Sequence, residues 1–354
     1  MKWNVGVSVK NFMQLRNIFG IILLSFGVAS GSAAAEDCQV GPSLVNSCGP
    51  WIGASANQYS EAASGLQAQM LYHEQRVGRQ MSIVHAYNSV GENTLSTDEL
   101  YFIYRPNTHL LLNWKPASKW SQAAGSNASV NAGIDQMAAA ILSVAPQKVM
   151  LSVFHEPQND VSENDSGLDC ALSGSGTSGT EADYVNMWHN VRARFDALGV
   201  TNVVWVMIYQ GFDKFNCMTN SLWPGNSYVD WVAWDQYDSG AGWNSDISSF
   251  YNNLTTLTDA NHNYTAKPWM LTEFGIHGAR PQSEAYQYYT DARKSLDRNT
   301  FPNIKAYVVW DSTGAAFNQV GYGGPGPASD PTKYFLDQTE QEHYNKFAKH
   351  TKLQ

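Results

Sequence analysis

Eight apolar runs with helical patterns between them, spread over most of 354 residues, predict an α/β chain folded as a (β/α)8 TIM barrel. The runs are "PWIGASA" (50–56), "QMSIVHAY" (80–87), "HLLLNW" (109–114), "KVMLSVF" (148–154), "NVVWVMIY" (202–209), "YVDWVAW" (228–234), "PWMLTEF" (268–274) and "IKAYVVW" (304–310). Most are continuously apolar, the pattern of parallel strands buried on both faces. A doubly wound open sheet would usually carry a glycine-rich phosphate loop after its first strand, and none follows residue 56.

The intervening segments supply the helices. Apolar residues recur at helical spacing in 61–78, 131–145, 181–199, 246–261 and 284–298, several behind a capping residue. The link 216–227 between the fifth and sixth strands reads as irregular. "SGSGTSGT" (173–180) reads as surface loop after the fourth strand.

Residues 1–35 stand apart. Lys2, Lys10 and Arg16 precede an apolar run from Ile18 to Ala29 and then "GSAAAED", the order of a secretory signal peptide cleaved before Glu36. The remainder, 36–354, is expected to be a single catalytic domain, secreted and monomeric. No later stretch is long and apolar enough to span a bilayer. Losing the three cations of the leader takes the net charge from −9 to −12, with no basic cluster left, so neither nucleic acid nor an anionic membrane is expected as partner.

Four cysteines suit an exported chain and allow three pairings. The expected pairs are Cys38–Cys48, which is local, and Cys170–Cys217, which would tie two loops together. No C-x-x-C or C-x-x-H spacing supports zinc. Asp160, Glu163, Asp165 and Asp169 form an acidic loop without the spacing of a calcium loop. No metal and no cofactor is expected.

In such a barrel the chemistry sits at the C-terminal ends of the strands. There "LSVFHEPQND" (151–160) carries Glu156 and "KPWMLTEFGI" (267–276) carries Glu273. A carboxylate at the end of a buried strand is a rigidly mounted one. Two such mounts can hold the acid/base and nucleophile pair that a retaining glycosidase needs.

"FHEP" (154–157), "NSYVDWVAWDQYD" (226–238) and "KPWMLTEFG" (267–275) resemble glycoside hydrolase family 26, in that order along the whole barrel. The resemblance implies a retaining mechanism with Glu156 as acid/base and Glu273 as nucleophile. It further implies that Tyr237 orients the nucleophile, that His155 neighbours the acid/base, and that Trp310 floors the site of the cleaved sugar. The implied substrate is a β-linked polysaccharide, foremost β-1,4-mannan. β-1,3-Xylan and mixed-linkage β-glucan are the alternatives within the family, and a non-catalytic carbohydrate-binding barrel is the alternative outside it.

Further rim positions complete the expected cleft. His85 is read as ending the second strand and Trp114 the third, each as a candidate to line the cleft. Asp235, ending the sixth strand, is a candidate to bond sugar hydroxyls or loop amides. Tyr209, Trp223 and Trp243 are candidate cleft aromatics. Trp205 and Trp188 are read as core.

Overall fold

A computed structural model describes residues 38–57, 59, 62–163, 176–276, 281–312 and 338–354. The expected signal peptide, residues 1–35, therefore lies outside the described residues, as does Cys170 of the second expected disulfide.

Eight parallel strands close into a barrel: β1 (Trp51–Asn57), β2 (Ile83–Asn88), β3 (His109–Trp114), β4 (Val149–Val153), β5 (Val203–Gln210), β6 (Trp231–Tyr237), β7 (Trp269–Gly275) and β8 (Ile304–Ser312). Strand β1 pairs with both β2 and β8, which removes any free edge. Helices α1 (Leu66–Val77), α2 (Thr97–Tyr104), α3 (Ala128–Ser143), α4 (Glu181–Ala197), α5 (Trp243–Leu257), α6 (Gln282–Arg298) and α7 (Gln338–Ala348) surround it. Between β5 and β6 the helix is replaced by a 3-10 turn, Asp213–Met218, in keeping with the irregular link read there.

Two helices were not evident from periodicity. Helix α2 is only 8 residues long, yet its start is written in a capping box, the Ser96 hydroxyl accepting from the Glu99 N–H while the Glu99 carboxylate accepts from the Ser96 N–H. Helix α7 packs Tyr344 and Phe347 into the core. Gly78 closes α1 in the left-handed region (φ 70°), where a side chain would be strained.

Side-chain direction follows strand parity. Ile83, Leu111, Met150, Val204, Val206, Ile208, Trp231, Ala233, Met270, Ala306 and Val308 form one cluster inside the barrel. The alternate residues, such as Leu110, Leu112, Trp205, Met207, Val232 and Trp234, join the larger core between sheet and helices.

The base of the barrel is plugged. Cys38–Cys48 form a disulfide as expected, and the segment between them pushes Leu44 into the interior cluster. Two indoles hold it: Trp51 Nε1 donates to the Leu44 carbonyl and Trp231 Nε1 to that of Ser43, each at 2.6 Å.

Candidate active site

At the opposite end the interior turns polar and aromatic. By parity the last inward residues are Ser55 on β1, His85 and Tyr87 on β2, Asn113 on β3, Gln210 on β5, Asp235 and Tyr237 on β6, and Trp310 on β8. Glu273 would break this rule, because Met270 and Thr272 already point inward. A β-bulge resolves it. The pairing with β6 steps from Trp234↔Leu271 to Asp235↔Glu273, and the pairing with β8 also shifts between Tyr307↔Leu271 and Val309↔Phe274. The inserted residue re-aims the side chain, so Thr272 and Glu273 both reach the mouth.

Both oxygens of Glu273 are taken. Tyr87 donates to Oε1 at 2.5 Å and Tyr237 to Oε2 at 2.6 Å. Burial pushes the carboxyl up to about 7 against the pull of those two bonds, which favour its ionised form.

Glu156 is mounted differently. Strand β4 ends at Val153, so Glu156 does not terminate the ladder but sits in the loop behind it. Phe154 (φ 59°) and Glu156 (φ 51°, ψ 47°) both adopt left-handed backbone, strained for residues with a Cβ. The turn is fixed by the Phe154 N–H donating to the Trp114 carbonyl and the Glu156 N–H donating to that of Ile208. Gln210 Nε2 donates to Oε1 of Glu156 at 2.7 Å and Asn159 Nδ2 to Oε2 at 3.0 Å. Burial and the nearby charge of Glu273 push this carboxyl up to about 8.

Asp235 lies between these two. Its Oδ1 accepts from the Thr272 hydroxyl at 2.5 Å. Burial, then Glu273, then Glu156 hold it well above the usual carboxylate range. The polar atoms of His155, Asp235 and Glu273 lie within 4.8 Å of one another. That group could in principle hold a metal ion. The hydroxyl donors already on Glu273 and Asp235 suit a cluster of carboxyls sharing protons. His155 is kept neutral by burial and packs its edge against Tyr87. Tyr237 and Trp310 form an aromatic floor with Tyr87 and Phe212.

His85 is not the end of β2, which continues to Asn88, but it points inward and lines a cavity with Tyr87. It is buried, with Nδ1 at 3.0 Å from both the Thr272 carbonyl and the Tyr87 hydroxyl. Several other expected cleft residues lie elsewhere. Trp114 does end β3, but its parity is outward. It is fully buried in the core, Nε1 donating to Asn93 Oδ1. Tyr209 also points outward, giving its hydroxyl proton to the Thr219 carbonyl and packing near Phe250. Trp243 opens α5 and packs among Phe274, Tyr288 and Phe347, with Nε1 on Ser295 Oγ. Trp223 packs on Tyr264 and bonds Asn226. Trp205 and Trp188 are core, as read. Of the acidic loop, Asp165 and Asp169 lie outside the described residues. Three contributors were not anticipated: Tyr87, Gln210 and Asn159. Strand parity selects the first two once an inward residue of each strand is known.

The fold of the chain is shared with solved barrels. Over 87% of the chain it superimposes on 90% of a GH26 beta-mannanase from Bacteroides ovatus, with a TM-score of 0.57 and 16% identity. The barrel is GH26-like in fold. It also superimposes on the GH26 domain of an endo-beta-mannanase/endo-beta-glucanase from Prevotella bryantii, over 87% of this chain and 90% of that one, with a TM-score of 0.52 and 15% identity. In sequence it is 25% identical over 272 residues to Endoglucanase H of Acetivibrio thermocellus, a match covering 74% of this chain and 27% of that much longer protein. No family model matches the sequence.

Proposed function

We propose that the chain is a secreted retaining endo-β-glycanase of the family 26 type that hydrolyses β-1,4-mannan. The observation that carries this reading is the pair Glu156 and Glu273, on facing sides of one barrel mouth and each given two hydrogen-bond donors. An oxygen of Glu273 attacks the anomeric carbon as the glycosidic C–O bond breaks, and Glu156 gives its proton to the departing oxygen. Water then adds to the anomeric carbon, its proton passes to Glu156, and the ester bond to Glu273 breaks. The electrostatics support this division of labour. Burial raises both carboxyls, and the charge of Glu273 adds to the rise on Glu156, which favours a protonated Glu156 beside an ionised Glu273. Once Glu273 is esterified its charge disappears, the repulsion on Glu156 lifts, and Glu156 becomes able to act as base.

Mixed-linkage β-glucan is the second substrate reading, supported by the sequence likeness to an endoglucanase. Reducing-sugar release from mannan, galactomannan, β-1,3-xylan and barley β-glucan separates the candidates. No release from any of them leaves a carbohydrate-binding barrel. Roles are assigned with azide and an activated aryl glycoside. Glu156→Ala should yield a glycosyl azide of retained configuration, and Glu273→Ala the inverted one. Inverted azide product from Glu156→Ala sinks the assignment.

A further inference from the structure

Tyr87 touches Glu273 directly but has no role in the reaction proposed above. Its hydroxyl caps Oε1 of Glu273, while Tyr237 caps Oε2. The oxygen that attacks carbon loses its negative charge to the new bond, so the tyrosine bonded to it loses much of its hold, and the freer of the two tyrosines marks the attacking oxygen. The two differ in freedom. Tyr237 is buried at 1% exposure, whereas Tyr87 is half-buried and lines a cavity of about 880 Å³ between the loops after β1 and β2. Ser55, Gln69, Asn88, Glu92 and Asp98 also line that cavity.

His85 fixes the direction of the Tyr87 proton. A carbonyl oxygen can only accept, so the 3.0 Å contact between His85 Nδ1 and the Thr272 carbonyl places the ring proton on Nδ1. The same N–H faces the Tyr87 oxygen, also at 3.0 Å. The Tyr87 oxygen is therefore an acceptor on the His85 side, and its own proton is committed to Glu273. The imidazole stays neutral, because burial pushes it down to about 4. Thr272 is the residue inserted at the bulge, so His85 also braces the backbone that aims Glu273.

We infer that Tyr87 is a catalytic residue that orients Glu273 and yields Oε1 as the attacking oxygen, while Tyr237 stays on Oε2 and His85 positions Tyr87. The attack half of this inference rests on the glycosidase reading; the hydrogen-bond half does not.

Two measurements test it. The first needs no substrate: the Glu273 carboxyl is titrated by 13C NMR in protein labelled at glutamate Cδ, with Glu273→Gln identifying the signal. Tyr87→Phe should raise the pKa of Glu273 by roughly one pH unit, as loss of one hydrogen bond to a charged group does. His85→Leu should raise it by less, and His85→Gln, which can still donate, should restore the wild-type value. An unmoved signal in Tyr87→Phe overturns the assignment of Tyr87. The second is the crystal structure of wild-type protein trapped with a 2-deoxy-2-fluoro glycoside. The ester should lie on Oε1 with Tyr237 still at Oε2, and an ester on Oε2 overturns the choice of oxygen. If wild-type protein neither labels nor cleaves any glycan, the glycosidase reading fails and the attacking-oxygen assignment falls with it. The titration then still decides the hydrogen-bond half.

Discussion

Gln210 and Glu156 meet beside one another at the ends of neighbouring strands, the side-chain amide of one donating to Oε1 of the other at 2.7 Å. This donor favours the ionised form of a carboxyl that burial works to keep protonated. Gln210→Leu should therefore move the alkaline limb of kcat/KM upward by roughly one pH unit. It should also slow the second half-reaction, in which the proposed mechanism uses Glu156 as the base. Pre-steady-state kinetics with an activated aryl glycoside should show a larger burst and slower turnover; an unchanged alkaline limb counts against the contact.

The pH profile itself is set by two raised carboxyls. The proposed mechanism needs Glu273 ionised and Glu156 protonated, so activity should fall below about 7 and above about 8. The limbs belong to the interacting cluster, which includes Asp235, and the profile should be a narrow bell. A broad plateau down to pH 5 would contradict the burial that raises Glu273.

Stability should run the other way from activity. The folded Glu273 carboxyl titrates at about 7 against 4.5 for an ordinary one, so between those values the folded chain holds more protons than the unfolded chain. Stability then falls as pH rises through that window and stays lowered above it. Glu273→Gln should match wild type at pH 4 and exceed it by up to about 3 kcal/mol at pH 8, read from urea unfolding.

Two tryptophans should separate cleanly. Trp243→Ala removes a buried ring from the helix layer and should cost about 3–5 kcal/mol of stability, with KM of the remaining folded enzyme unchanged. Trp310→Ala should raise KM instead, since Trp310 shares the aromatic floor with Tyr237 and Tyr87.

Opening the disulfide should loosen the base of the barrel. Cys38 and Cys48 are 10 residues apart in sequence, so a Cys38→Ser/Cys48→Ser double variant should lose roughly 2–3 kcal/mol. The pH profile should stay in place, because the plug lies at the far end from Glu156 and Glu273.

Much of this was legible in the sequence. Each of the eight apolar runs became a barrel strand, and Glu156, Glu273, Tyr237 and Trp310 do gather at one mouth. The errors were errors of facing. Trp114 and Tyr209 stand at strand ends, where an aromatic ring invites a role in binding, yet both have outward parity. Parity needs one inward residue per strand as a reference, and continuous apolar runs such as "HLLLNW" hide it, because both faces are buried. The bulge at Thr272 had no sequence marker, since neither glycine nor proline announces it. The left-handed turn that carries Glu156 was equally silent, being fixed by carbonyls of Trp114 and Ile208 on neighbouring strands.

The plug beneath the barrel has a consequence for how the chain assembles. The loop between Cys38 and Cys48 can close as soon as its few residues exist. One of the two indoles that seat it, however, belongs to Trp231, 188 positions beyond Ser43. Six strands must be laid down before Leu44 has a floor to enter, so the first part of the domain to be made is among the last to dock. Until then the ring formed by that disulfide is a tethered stopper waiting for its bottle.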